Sequence, residues 1–189
     1  MKRLPRPRRG FTLIELLMVV ALLGIIGLLV APSMQDMLAR QRVQSITSEL
    51  MTDIHLARSE ATQRSRPVRM VFGTNASMTC YTIHTTGVVG NCNCTKAQGT
   101  ACLRNDGTAW PGITELKTVQ IPRSTTVTVA ATPATSITFD LPQLLPNRPD
   151  FRMTVSSSRG GQLRAATNLT GRPTMCSPDG SMSGAPACP

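Results

Sequence analysis

Arg8-Arg9-Gly10-Phe11-Thr12-Leu13-Ile14-Glu15-Leu16 carries the chain from a basic segment into an apolar block, Leu16 to Ala31, that holds no other charge. Glu15 is the residue to explain. A carboxylate in a helix bound for a bilayer costs about 2.5 to 3.5 kcal/mol on insertion scales, and such groups are usually paired. Upstream, Lys2, Arg3, Arg6, Arg8 and Arg9 are unaccompanied by acid, which predicts a cytoplasmic leader under the positive-inside rule. Pro5 and Pro7 keep that leader from continuing the helix behind it. Read as one helix, Phe11 to Ala31 spans about 31 Å, enough for a hydrocarbon core of about 30 Å. A secretory signal peptide would have a shorter apolar region and a small-x-small cleavage site. Here Pro32-Ser33-Met34-Gln35 follows instead, and helical periodicity resumes. A plain single-pass anchor would have no use for Glu15.

Past Pro32 the apolar positions Val43, Ile46, Leu50, Ile54, Ala57 and Ala61 recur every three or four residues, with Arg40, Arg42, Glu49, Arg58 and Glu60 on other faces. This predicts an amphipathic helix half over residues 32–66 that packs on a sheet. Arg64-Ser65-Arg66-Pro67 ends it, because a residue before proline avoids the helical region. His55 falls beside the stripe and reads as a boundary residue rather than a ligand. After Pro67 the period changes to two, through Val68, Met70 and Phe72, then Val127 and Val129, then Ile137, Phe139 and Leu141, then Phe151, Met153 and Val155. Further strands are expected at Cys80 to Thr85, Leu116 to Ile121 and Gln162 to Thr167. Turns are expected at Asn105-Asp106-Gly107, Pro146-Asn147 and Arg159-Gly160-Gly161. The fold class is therefore α+β, a long N-terminal transmembrane helix followed by an antiparallel β-rich head over residues 67–189.

The 189 residues suit one head domain on an anchor helix. Five of the twenty basic residues lie in the first ten, so the formal charge of +10 falls to +5 without them, 15 basic against 10 acidic. Raw basicity is thus a poor argument for nucleic-acid binding. The six cysteines, Cys80, Cys92, Cys94, Cys102, Cys176 and Cys188, fall on the periplasmic side, where disulfides form. Cys92-Asn93-Cys94 with Cys102 has the chemistry of a zinc site. However, C-x-C is not the spacing of common zinc knuckles, and the compartment favours bridges across the loop from Gly87 to Pro111. Cys176 and Cys188 are placed to close a small loop around Pro178-Asp179-Gly180. Six cysteines allow fifteen pairings, and spacing does not choose among them.

Gly10-Phe11-Thr12-Leu13-Ile14-Glu15, with its short basic leader and long apolar helix, resembles the class III signal of type IV pilins and type II secretion pseudopilins. The resemblance implies a type IV pilin-like fold and cleavage between Gly10 and Phe11 by a prepilin peptidase, which would also methylate the new amine of Phe11. Residues 1–10 would be the leader and residues 11–31 the transmembrane half. Glu15 would become the fifth residue of the mature chain, and Pro32 would match the proline that kinks the pilin helix. Independently, a neighbouring subunit's positive N-terminus could neutralise Glu15 inside the membrane and set the axial register. The stretch from Leu56 to Val68, the Ile137-Thr138-Phe139-Asp140 strand and the passage from Thr170 to Cys176 resemble the GspH/FimT branch of minor pilins and pseudopilins. The cysteine-rich insert resembles the FimT side.

No enzyme is expected. The histidines are His55 on the helix and His84 in an alternating strand, read as a surface residue or one satisfied in the core. No nucleophile-base set, Walker loop or H-E-x-x-H appears, and no cofactor or metal is expected. The resemblance raises DNA capture, since some FimT proteins bind DNA through a C-terminal G-R-x-R motif. The matching residues here are Gly171-Arg172-Pro173-Thr174, without the second arginine. Arg159, Arg164 and Arg172 remain candidates for weak phosphate contact, but a single Tyr81 and a single Trp110 give little stacking surface. Three readings follow: a FimT-type minor pilin that helps initiate a type IV pilus, an H-type pseudopilin of a type II secretion system, and a pilus-tip DNA receptor. The implied partners are other minor and major pilins or pseudopilins, the prepilin peptidase and the inner membrane, with the head in the periplasm.

Overall fold

The computed structural model describes residues 10–188, without the side chains of residues 28–32. The expected leader up to Arg9 and the expected kink at Pro32 fall outside the described residues. A 52-residue helix, α1 (Leu13–Arg64), opens the fold, and the chain divides into two compact units, Met1–Met37 and Leu38–Pro189.

In the first unit α1 is apolar on every side from Leu16 to Gly27. The large apolar side chains from Leu13 to Ile26 are 48% to 77% exposed. A helix apolar all round has no polar face to give to water and calls for an apolar surrounding.

In the second unit the helix buries Ala39, Val43, Thr47, Leu50, Asp53, Ile54, Ala57 and Ala61. This corrects the expected stripe at two positions. Ile46 is only half-buried, and Thr47 takes the buried place, its hydroxyl satisfied by donating to the Val43 carbonyl at 2.7 Å. Asp53 joins the stripe as well, for reasons given below. The helix ends as the Arg64-Ser65-Arg66-Pro67 signal predicts. Ser65 takes a left-handed φ of 49°, Arg66 N–H bonds the Ala61 carbonyl and Ser65 N–H bonds the Thr62 carbonyl, which satisfies carbonyls that the last turn would otherwise leave open.

Among the described residues nine strands follow: β1 (Val68–Thr74), β2 (Met78–Thr85), β3 (Glu115–Pro122), β4 (Val127–Thr132), β5 (Ser136–Asp140), β6 (Leu145–Pro146), β7 (Arg152–Ser157), β8 (Gln162–Thr167) and β9 (Pro173–Cys176). They form two antiparallel sheets, ordered β3-β2-β1-β5-β6 and β4-β7-β8-β9. Val68, Met70 and Phe72 of β1, Tyr81 and Ile83 of β2, and Val129, Val155 and Leu163 of the second sheet join the helix stripe in one core. Leu141 lies just past β5 rather than in it. Pro146, expected in a turn, instead pairs Phe139 at the sheet edge, where a missing N–H costs no ladder bond.

Strand β2 is buried along both faces, unlike its neighbours. Register explains this. Tyr81 and Ile83 lie opposite Phe72 and Met70 and share their core-facing side, so Cys80, Thr82 and His84 point the other way. That outer face is covered by the cysteine-rich segment between β2 and β3.

Candidate functional site

Gly10, Phe11 and Thr12 are non-helical and exposed, Phe11 at 84%, so the bond expected to be cleaved sits in open backbone just before α1. Thr12 caps the helix: its carbonyl accepts from Leu16 N–H at 3.2 Å and its hydroxyl from Glu15 N–H at 3.4 Å. Thr12 and Glu15 thus have the Ser/Thr-x-x-Glu spacing of a capping box, and the acid stands in the first turn, where the unpaired amides favour negative charge. Glu15 therefore has a local structural reason to exist as well as the intersubunit one expected from sequence.

Within the second unit a polar cluster ties helix to sheet. Asp53, 2% exposed, accepts the Tyr81 hydroxyl at 2.7 Å on one oxygen and Lys117 Nζ at 2.9 Å on the other, while Lys117 also reaches Glu49 at 2.8 Å. Burial, then the neighbouring Asp53 carboxylate, push the Tyr81 hydroxyl well above its ordinary range. For Lys117 burial pulls downward, but the hydrogen bonds to Glu49 and Asp53 outweigh it and raise the ammonium. Sequence reasoning missed this cluster. The available signal was an acid at position 53, three residues after Leu50 and four before Ala57, on the apolar stripe itself.

The cysteines pair as Cys80–Cys94, Cys92–Cys102 and Cys176–Cys188. The last pair is the one expected to close the C-terminal loop. Cys92, Cys102 and Ile113 form a small core of their own with Trp110 against it, and Arg104 sits over the Trp110 ring at 4.4 Å. His84 is 1% exposed, neither on the surface nor fully satisfied. Its Nδ1 lies 2.9 Å from the Thr85 carbonyl, while Nε2 has no partner among the described residues. Burial first, then Arg69, depress its pKa. One ring nitrogen of His84 and the sulfurs of Cys92 and Cys102 lie within 4.8 Å of one another. His55 is exposed, away from the buried stripe.

The candidate arginines are not brought together. Arg159 lies in the β7–β8 turn and Arg172 in the β8–β9 turn, at opposite ends of the six-residue β8, or about 20 Å apart along an extended strand. Arg164 lies between them on the outer face of β8, beside Arg152 and Asp150 in a cleft of about 170 Å³.

An N-terminal helix capped by Thr12, with Glu15 in its first turn and an exposed apolar stretch behind it, joined to an α+β head of two antiparallel sheets, is the architecture of a pilin-type subunit. Residues 5–31 match the prokaryotic N-terminal methylation motif, and residues 47–172, about two thirds of the chain, match the family described as type II transport protein GspH. The chain belongs to the GspH family of minor pilins and pseudopilins, which makes it a structural subunit that assembles with other pilins and not an enzyme. Among solved structures, the type IV minor pilin FimU of Pseudomonas aeruginosa superposes with a TM-score of 0.50 at 18% identity, covering 76% of this chain and 95% of that one, a likeness of fold. No curated protein matches. The methylation motif marks a membrane-anchored N-terminus. Among the described residues no helix is long and apolar enough to cross a membrane; the described side chains of the apolar block stop at Gly27, and the rest of the expected span lies outside them.

Proposed function

We propose that this chain is a minor pilin of a type IV pilus, a FimT-like subunit that helps initiate the filament and sits at or near its tip. A prepilin peptidase cuts between Gly10 and Phe11 and methylates Phe11. Residues 11–31 hold the chain in the inner membrane by a single pass, with the head in the periplasm. The observation that carries this reading is the start of α1: one acid, Glu15, in its first turn, followed from Leu16 by a stretch that is exposed and apolar on every side. Such a surface suits lipid before assembly and neighbouring helices after it. The likeness to FimU supports a pilus, and the description of the matched family supports the alternative of an H-type pseudopilin in a type II secretion system. DNA capture has no comparable support, because Arg159 and Arg172 do not converge.

Mass spectrometry of the membrane-purified chain should find residues 1–10 removed and a methyl group on Phe11. Glu15→Ala should insert into the membrane yet be absent from sheared filaments. A full-length chain in assembled filaments, or normal incorporation of Glu15→Ala, would refute the assembly mechanism. Loss of secretion with intact pili on deletion would decide for the alternative.

A further inference from the structure

We propose that His84, Cys92 and Cys102 form a thiol-gated zinc site, closed while Cys92–Cys102 is oxidised and able to take one divalent thiophilic cation once that bridge is reduced. Three observations carry this. First, an imidazole nitrogen of His84 and the two sulfurs already lie within 4.8 Å of one another, and all three residues are buried. Second, the imidazole is oriented for ligation. A carbonyl can only accept, so Nδ1 must donate to Thr85 O at 2.9 Å, which leaves the lone pair on Nε2, the atom with no partner among the described residues. A ring nitrogen bonded to a backbone carbonyl with the other free is the usual arrangement of a metal-binding histidine.

Third, the loop is pinned by contacts that do not depend on this bridge. Asn93 N–H bonds Ala101 O at 2.7 Å, and the Glu115 carboxylate accepts from Gly99 N–H at 2.7 Å and Ala101 N–H at 2.9 Å. Gln120 Nε2 donates to Cys94 O and Lys96 O, each at 2.9 Å. Opening Cys92–Cys102 therefore leaves both thiols beside His84.

The step balances. A dithiol passes two electrons and two protons to the Cys92–Cys102 bond and is itself oxidised to a disulfide. Binding of Zn²⁺ then displaces the two thiol protons to water. Two thiolates and a neutral imidazole cancel the charge of a divalent cation, which a buried site requires, and leave its fourth position open.

The test uses the full chain in detergent micelles, oxidised or reduced anaerobically with a phosphine, and titrated with Co²⁺ and then Zn²⁺. The reduced chain should bind one equivalent of Co²⁺ with a thiolate charge-transfer band that Zn²⁺ abolishes, and the oxidised chain should bind none. Cys92→Ser/Cys102→Ser, which keeps the other four cysteines, should lose the band. His84→Gln should weaken binding by more than about 100-fold, beyond the loss expected for an outer-shell partner. Undiminished binding by either variant, binding by the oxidised chain, no binding by the reduced chain, or loss of its β-sheet circular dichroism on reduction would each overturn the proposal.

Discussion

Tyr81→Phe should destabilise the head by about 2 kcal/mol, because it removes the donor to one oxygen of a carboxylate that is 2% exposed while leaving the carboxylate in place. Hydrogen bonds to charged groups contribute about 1.5 to 3 kcal/mol, and a carboxylate only 2% exposed gains little from water in exchange. For a unit the size of Leu38–Pro189, that corresponds to a fall in Tm of about 4 to 8 °C. Lys117→Met should cost about 1 to 3 kcal/mol, less than the removal of one partner from a fully buried pair, since the Lys117 side chain is 30% exposed and Glu49 45% exposed. The two changes share Asp53 and should not add. In an Asp53→Leu background the cost of Tyr81→Phe should drop to about 0.5 kcal/mol or less, because no buried charge then waits for the hydroxyl. Denaturant unfolding of the disulfide-intact chain in micelles, followed by far-UV circular dichroism, measures all three. A Tyr81→Phe cost that is the same with and without Asp53 would refute the reasoning.

The same cluster predicts alkaline lability. Tyr81 and Lys117 both have pKa values raised on folding, so their contribution is complete below the unfolded values near 10 and is lost as pH rises through the folded ones. Stability measured from about pH 9 to 11.5 should fall in the native chain and stay flatter in Tyr81→Phe/Lys117→Met. Gly73→Ala should destabilise by about 1 to 3 kcal/mol in denaturant unfolding, since a Cβ there would lie 2.8 Å from Cys94 Sγ, which its bridge to Cys80 holds in place. Ser65→Gly should raise stability by up to about 1 kcal/mol in the same assay, as Ser65 holds a left-handed φ of 49° that glycine adopts without a Cβ clash.

What sequence made legible was whatever depends on local periodicity. The apolar stripe from Val43 to Ala61 and the alternation at Val68, Met70 and Phe72 each carry their burial in their spacing, and the processing motif is covalent order and needs no fold. The pairing of the four cysteines from Cys80 to Cys102 was illegible because it depends on register: Cys80 faces the loop only because Phe72 lies opposite Tyr81 and turns the cysteine outward. Asp53 escaped notice because its partners Tyr81 and Lys117 are 28 and 64 residues away. The arginines scatter because two tight turns place Arg159 and Arg172 at opposite ends of one strand. One local signal was present and unread. Asn75, Asn93, Asp106, Asn168 and Asp179 each accept both the N–H and the hydroxyl of a Ser or Thr two residues on, so Asn/Asp-x-Ser/Thr marks five of the turns.

On the proposed reading, Glu15 and the cleavage after Gly10 act as one device. The ten Leu, Ile and Val side chains between Leu13 and Ile26 favour insertion by about 3 to 6 kcal/mol, comparable to or above the cost of about 2.5 to 3.5 kcal/mol for a carboxylate at mid-bilayer. Glu15 stands in the first turn, near the interface and beside unpaired amides, so its real cost is lower and it does not prevent insertion. What it opposes is movement into a packed array of helices, away from headgroups and water, without a cation at the same depth. On the proposed reading that cation is the amine of a neighbour's Phe11, four residues from the acid along the chain. In an uncleaved chain the Phe11 nitrogen is an amide, tied to Gly10, and carries no charge, and on that reading the basic leader stays at the cytoplasmic surface. On that reading the acid makes assembly conditional on processing: it costs little in a chain waiting in lipid, and it becomes prohibitive in a filament built from uncut neighbours.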